Sequence, residues 1–518
     1  MQLQSLDYAA IAAYFLLTLA IGAWTARGLT TAGELFLAGR SLGPLAVGFS
    51  LFSSNISSDT LIGLPGAAYS TGISAANYEW MASFVLVVSM FWVLPVLMRA
   101  RVATMPELME RRFDRRMRRY LSAVTLFLSV VLDTSGTLYA GALVITTFFP
   151  GFGLAATAFW LAMFTAAYTA AGGLRAVVYT DVMQAIVLLL GAAVLAWAVF
   201  GQYDHSWAQV VARVPASHLS LIRPVGDPGV PWPGLLTGLP IVGFYYWTMN
   251  QYIIQRVLGA RDLPAAGRGA ALAALLKLLP LFLMTLPGAM AIPLLPHLQH
   301  PDRVWPELVA RYAPDGLAGL ILAGLVAALM STCSATMNSA ATLLTVDFVE
   351  PARPHWTQSQ LTTAGRLFTV VIAVVAGLWA PQILHFQGLW TYLQQAFAYV
   401  ASPLVAVFAY GLLSRRLGPR AALRGLASGH ILAGAVFLAN RAGWVPIHFT
   451  VIGGVLFAAT LVLTWAWARV LGEADRLAPD SPRAALVDRT ALPTLPRDLR
   501  WVAAVVLAAI AAMLWTFR

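Results

Sequence analysis

Residues 39–80, GRSLGPLAVGFSLFSSNISSDTLIGLPGAAYSTGISAANYEW, begin as a hydrophobic helix and then interrupt it. Apolar character runs from Leu42 to Phe52 and gives way to Ser53, Ser54, Asn55, Ser57, Ser58, Asp59 and Thr60. It resumes at Leu61, with Pro65 and Gly66 close behind. In hydrocarbon each unsatisfied backbone amide or carbonyl costs several kcal/mol, so a helix broken at membrane depth persists only where protein or a watery cavity surrounds it. The break therefore reads as a binding site. Its freed carbonyls can hold a cation, and side chains such as Asn55 can address a polar solute.

The membrane premise rests on composition. Of 518 residues 59% are hydrophobic and only 11% charged, and the mean hydropathy is +0.74, which identifies an all-α polytopic membrane protein. Spans of about 20 residues or more start near Leu6, Leu42, Ala75, Tyr120, Phe152, Leu174, Trp232, Ala265, Leu317, Leu361, Leu389, Ala422, Ile447 and Trp501, about 14 in all. The first lacks a basic region ahead of it and is expected to be a retained helix rather than a signal peptide. With the amino terminus outside, Arg213, Arg223, Arg303, Arg311, Arg441 and Arg518 fall outside and every other arginine inside. That asymmetry predicts a multi-pass plasma-membrane protein, in a bacterial inner membrane, with both termini outside. The loop RARVATMPELMERRFDRRMRRY, richest in arginine, reads as a topology determinant facing anionic lipid, so the net charge of +11 does not indicate nucleic acid. The single cysteine, Cys333, excludes an internal disulfide and any multi-cysteine metal site. Neither a GxSxG nor an HExxH motif is present, and no enzymatic activity is expected. No protein partner can be inferred.

Polar residues inside the spans mark the candidate site. Glu79 lies near the outer end of the third span, Asp133 near the middle of the fourth and Asp181 about two turns into the sixth. The seventh span, WPGLLTGLPIVGFYYWTMNQYIIQRVL, repeats the peculiarity of the second: Gly238 and Pro240 interrupt it, and Tyr246, Trp247, Thr248, Asn250 and Gln251 make its middle polar. Two interrupted spans five helices apart suggest two five-helix halves in opposite orientation, with a site at the midplane. The expected division is a leading helix at 1–30, a first repeat at 40–200 broken near 53–60, a second at 230–418 broken near 238–247, and three further helices at 420–518 with a cytoplasmic connector at 470–500.

Lys277 is the only lysine among 33 basic side chains. It lies about ten residues, or roughly 15 Å, beyond Gly267, near the middle of a hydrocarbon core of about 30 Å. Its side chain cannot snorkel that far and needs an internal partner or a hydrated cavity. In the ninth span, Ala328, Ser331 and Thr332 fall at i, i+3 and i+4, so one carbonyl and two hydroxyls can converge. Ser334, Asn338, Thr342 and Thr345 continue the polar stripe, which also serves as interhelical glue. With carbonyls from the broken second span opposite, a five-oxygen shell without a carboxylate suits a weakly held monovalent cation. Gln394 and Gln395 in the eleventh span can both donate to and accept from hydroxyl groups.

The ordered motifs SLFSSNISSDTLIGLPG with YEW, GGLRAVVYTD, YYWTMNQYIIQR, LLKLLPLF, ALMSTCSATMNSAATLLTVD and YLQQAFAYVASP resemble the sodium/solute symporter family, most closely its sodium/galactose and sodium/glucose branch. The resemblance implies a LeuT-type fold, ten core helices in two inverted repeats plus flanking helices, and Na+ as coupling ion. It implies sodium at the carbonyls of Ser53, Ile56 and Ala328 and the hydroxyls of Ser331 and Thr332. A neutral sugar would contact Asn55, Thr60, Glu79, Lys277 and Gln394, above Tyr246 as inner gate with Trp247 beside it. Asp181 matches an aspartate of sodium release, or of a second sodium site with Ser334. Thr60 replaces a glutamine or histidine of sugar-transporting relatives, and Gly243 an asparagine of the galactose carrier. A sodium symporter for another small solute, such as myo-inositol, proline or a carboxylate, is the alternative expectation.

Overall fold

The computed structural model describes residues 38–102, 104–149, 151–169, 174–314, 316–386, 388–414, 416–473 and 492–518, with scattered positions among 5–21 and 483–488. Much of the expected first span and of the connector at 470–500 lies outside the described residues. Among the described residues the chain is helical without a strand.

The broken second span consists of α1 (Pro44–Asn55) and α2 (Ser58–Thr71). Pro44 at its first position supplies a preset φ for α1. The helix stops where Ile56 turns to φ −84°, ψ 72° and Ser57 is extended. Beyond it lie α3 (Asn77–Trp92), then α4 (Arg115–Phe127) and α5 (Ser135–Phe148), joined by a π-helical turn at Leu128–Thr134 that carries Asp133. The first half closes with α6 (Leu154–Thr169) and α7 (Leu174–Gly201).

The seventh span is interrupted at both ends of its polar middle. A turn at Thr237 (φ −114°, ψ −77°) precedes α8 (Gly238–Phe244); a π turn follows at Tyr245–Met249; Asn250 is then extended at φ −65°, ψ 121° before α9 (Gln251–Leu258). Then come α10 (Leu263–Leu276), α11 (Leu317–Leu343), α12 (Gln358–Trp379) and α13 (Leu389–Leu413), and outside them α14 (Pro419–Arg441), α15 (Phe449–Val470) and α16 (Asp498–Thr516).

Among the described residues, 9 helices are long and apolar enough to cross a membrane, and Ile73–Trp92 with Leu94–Ala100, bent by 49°, makes a tenth. Of the four others expected, the first lies mostly outside the described residues, two are interrupted and one is short. The 12 residues of α1 and the 14 of α2 are each too short alone, the seventh span is split into still shorter pieces, and α6 has 16 residues.

The broken helix sits at the centre, with α1 against α7, α9, α10 and α11, and α2 against α5 and α13. Small residues allow the closest of these approaches. A Cβ on Gly48 of α1 would stand 2.9 Å from the carbonyl oxygen of Gly269 in α10, and one on Gly269 would stand 2.6 Å from a Val47 methyl. Without a hydrophobic drive between helices in lipid, such close backbone packing carries the association.

Two arginines of the basic loop are not directed at lipid. Arg112 is 1% exposed and donates to the carbonyls of Gly411 at 2.6 Å, Ser414 at 2.9 Å and Leu417 at 3.3 Å, capping the C-terminal end of α13. Burial, then repulsion from Arg483, lowers its pKa to about 10, so it stays protonated at neutral pH. Arg118 pairs with Glu110 and Asp347 at 2.6 Å each. Free carbonyls at a helix end and a buried carboxylate attract these two guanidinium groups more strongly than a lipid surface does.

Candidate substrate and ion sites

Helix ends leave carbonyls outside the hydrogen-bond ladder. At the end of α1, Ile56 N–H donates to Phe52 at 2.9 Å, so the ladder closes there and Ser53, Ser54, Asn55 and Ile56 present their carbonyls to the break. The Thr60 hydroxyl takes that of Asn55 at 2.6 Å. Thr60 lines the adjoining cavity, but its hydroxyl is engaged in bracing the break.

That cavity, about 600 Å³ of space including its open side, adjoins Asn55, Glu79, Tyr246, Trp247 and Gln394, all expected from the sequence. Lys277 meets it from α10, at the C-terminal end of the helix. Its ammonium donates to both Asn55 Oδ1 and Glu79 Oε2, and it lies 5.6 Å above the Trp247 ring. Lys277 is 1% and Glu79 3% exposed. The isolated lysine of the sequence therefore has the internal partner that its depth demanded, and in hydrocarbon the pairing is what makes either charge tolerable.

Tyr246 donates to or accepts from Tyr252 through their hydroxyls, and its ring meets Phe397 at 6.0 Å in an edge arrangement. Beyond this cavity a vestibule of about 1540 Å³, open solvent included, is lined by Gln395, Asp302, Arg441, His448 and others. Gln395 thus parts from its neighbour Gln394. Tyr78 and Trp390 line both spaces and stand edge to face at 5.6 Å, forming the wall between them. Neither aromatic was singled out in the sequence, and the TYLQQ motif beside Trp390 was the available signal. Asp59, Asp133 and Gly243 also border the inner cavity. Of these, Asp59 was read only as part of the polar break.

Behind the break, Asp181 joins the elements expected to hold the ion. Its carboxylate accepts from Ser50 at 2.6 Å and Ser54 at 3.4 Å on α1, and from Ser331 at 2.6 Å on α11. Arg256 of α9 donates to it at 3.3 Å and to Ser50 at 3.1 Å. Ser331 and Asp181, expected separately as ion ligand and as a release or second-site residue, are direct neighbours. Ser334, one turn further along α11, is buried, as are Thr332, Ala328, Ser53 and Ile56. Among the described residues no group of three His, Cys, Asp or Glu side chains could hold a metal ion.

A family model described as the sodium:solute symporter family matches residues 35–429. The chain belongs to this family. The sodium:solute symporters are sodium-coupled transporters, not enzymes, and this chain is accordingly a multi-pass membrane protein that moves a small solute with Na+. Sodium/glucose cotransporter 2 of Rattus norvegicus is 36% identical over 479 residues, covering 82% of this chain and 70% of that protein. Sodium/myo-inositol cotransporter 2 of Oryctolagus cuniculus is 34% identical over 464 residues, covering 82% and 69%. Among solved structures, a substrate-bound, outward-open Na+-coupled sialic acid symporter superposes with a TM-score of 0.78 at 21% identity, covering 92% of this chain and 100% of that one. Mhp1, a nucleobase-cation-symport-1 family transporter in a closed conformation, gives 0.57 at 17%, covering 89% and 100%. The fold of this symporter is thus the LeuT type.

Proposed function

We propose that this symporter imports a neutral, hexose-like sugar, driven by inward sodium movement, by alternating access around its two broken helices in a bacterial inner membrane with both termini outside. The observation that carries the reading is the junction of Lys277 with Glu79 and Asn55 at a cavity that Gln394 also lines. A sugar offers hydroxyls that donate to Glu79 and Gln394 and accept from Lys277 and Asn55, so each partner can exchange its present bond for one to the solute. An anionic solute would meet Glu79, Asp59 and Asp133 on the same wall. The likeness to a protein named as a sodium/glucose cotransporter supports the reading.

In this reading sodium is held by the carbonyls of Ser53, Ile56 and Ala328 and the hydroxyls of Ser331 and Thr332. To bind it, Ser331 turns a lone pair to the ion while keeping its bond to Asp181. Residues two apart on one break then serve ion and sugar, so sodium favours the sugar-competent state directly, as coupling requires. Asp181, already between Ser331 and Arg256, receives the ion on its way to the cytoplasm, or holds a second one with Ser334. Tyr246 and Trp247 close the floor under the sugar.

A cyclic polyol is the second reading, favoured by the 34% identity to a protein named as a sodium/myo-inositol cotransporter and by the same hydroxyl-directed chemistry. Uptake into proteoliposomes, with glucose, galactose, mannose, fructose and myo-inositol as competitors, separates the two. Concentrative hexose uptake should need an inward sodium gradient. Uptake persisting unchanged without sodium, with a proton gradient substituting fully, would sink the proposal.

A further inference from the structure

Three carboxylates, Asp59, Glu79 and Asp133, line the substrate cavity, and the ammonium of Lys277 stands behind it on Glu79. Lys277 is paired with Glu79 and also acts on Asp59. Asp59 stands in the first turn of α2, its carboxylate addressed by its own amide and that of Thr60. There it lies in the field of a helix N-terminus equivalent to about half a positive charge. Asp133 has no such charge compensation: of the groups that act on it, only the neighbouring Asn250 side chain favours the carboxylate. It is 5% exposed, its Oδ2 has no hydrogen-bond partner among the described residues, and the charge acting on it is that of Asp59, of the same sign. An unpaired ionised carboxylate at such depth costs several kcal/mol.

The groups around Asp133 are unfinished in the same way. Asn250, the extended residue at the second break, is 1% exposed; its side chain lies against Asp133, in a contact outside ordinary hydrogen-bond geometry, and its Oδ1 has no donor among the described residues. The same holds for the hydroxyl of Tyr245, whose phenol lies in the field of Asp133, and for Oδ1 of Asp59. Four oxygens are thus left over: two carboxylate, one amide and one phenolic. They come from α2, from the π turn of the fourth span and from the break of the seventh. A proton would neutralise Asp133 and give it one O–H, enough to satisfy only one of the other oxygens. A sodium ion, which takes several hard oxygens at once, answers all of them and supplies the missing positive charge. With two carboxylates rather than three or four, the set is too weakly charged for a calcium ion.

We propose that Asp59, Asp133, Tyr245 and Asn250 form a second sodium site on the wall of the substrate cavity, separate from the one at Ser331. The inference rests on sodium binding at the first break as read above, but not on the identity of the solute. It explains how a neutral solute fits a cavity with an excess of carboxylates: the second ion enters with it. It also ties both broken helices to sodium, one ion at each break.

The test is equilibrium binding of radioactive sodium to the purified full-length protein without sugar. Wild type should bind two ions per chain, and Asp133→Asn and Ser331→Ala one each. The ion retained in each variant reports that it is folded. Asn250→Leu, which keeps the charge of Asp133 but removes the amide oxygen, should weaken one of the two ions at least tenfold. Two ions retained in both Asp133→Asn and Asn250→Leu would overturn the second site, and that is also the result expected if a proton fills it. A single wild-type ion lost only in Ser331→Ala would overturn the second site and leave the first standing. No sodium binding by wild type would overturn both.

Discussion

Lys277 and Glu79 show how a pair of side chains can be necessary to each other for one reason and to transport for another. Removing either alone leaves a buried charge without its partner, at a cost of about 3–5 kcal/mol. Lys277→Met and Glu79→Gln should therefore each lower thermal stability in detergent, while the double variant recovers most of it. None of the three should transport, because sugar hydroxyls lose their charged donor or acceptor. Unaltered sugar affinity in Lys277→Met would falsify the assignment. His448, at the vestibule, makes a different statement. Burial lowers its pKa to about 4, against smaller raising effects of the Pro228 carbonyl and Asp227. Its folded pKa lies below the ordinary value of about 6.5, so the unfolded chain binds the proton first and stability falls as pH drops from about 6.5 towards 4. Between pH 7 and 5 that loss is about 1–2 kcal/mol after allowance for partial exposure. His448→Gln should show a correspondingly smaller fall in melting temperature over this interval, and an equal fall would mean that the imidazole is not the group responsible.

At the level of elements, the contact of α1 with α10 sets the position of the first break relative to Lys277. Gly48 and Gly269 let the two backbones meet, and a side chain at either has no space. Because α10 carries Lys277 at its end and α1 carries Asn55, a displacement here moves the ammonium away from the break. Gly269→Val should cost about 1–3 kcal/mol from overpacking and raise the sugar concentration for half-maximal uptake. Unchanged uptake kinetics with lowered stability would mean that the contact serves folding alone. Other elements are tied by charge. Arg112 caps α13 and Arg118 joins α4 to the end of the ninth span through Asp347, so arginines of the basic loop hold helix ends together.

For the whole molecule, coupling is an energy ratio. One sodium ion entering down about 100 mV releases roughly 2.3 kcal/mol, and a tenfold gradient adds about 1.4, enough for a solute ratio of several hundredfold. A second ion doubles the exponent. The reversal potential of sodium-driven current should then shift by about 30 mV per tenfold change in solute rather than about 59. The larger shift would mean one ion per cycle.

Much of this was legible before folding, because a membrane leaves few options. Hydrocarbon forbids a helix from breaking without a purpose, so the serines around Asn55 announced a site. It forbids an isolated ammonium, so Lys277 announced a partner. Spacing along one helix put Ala328, Ser331 and Thr332 on one face. What no spacing could supply was the distance between elements far apart in the chain. That Glu79 is the partner of Lys277, that Ser331 touches Asp181, that Tyr78 and Trp390 share a wall, and that Asp133 meets Asn250 at a second break are all products of packing. Arg112 and Arg118 read as lipid-facing because their partners, carbonyls of Gly411 and Ser414 and the carboxylate of Asp347, lie more than two hundred residues away. Periodicity and hydropathy act within one helix and specified where polar groups had to find partners inside the protein; contacts between helices decided which residues meet there.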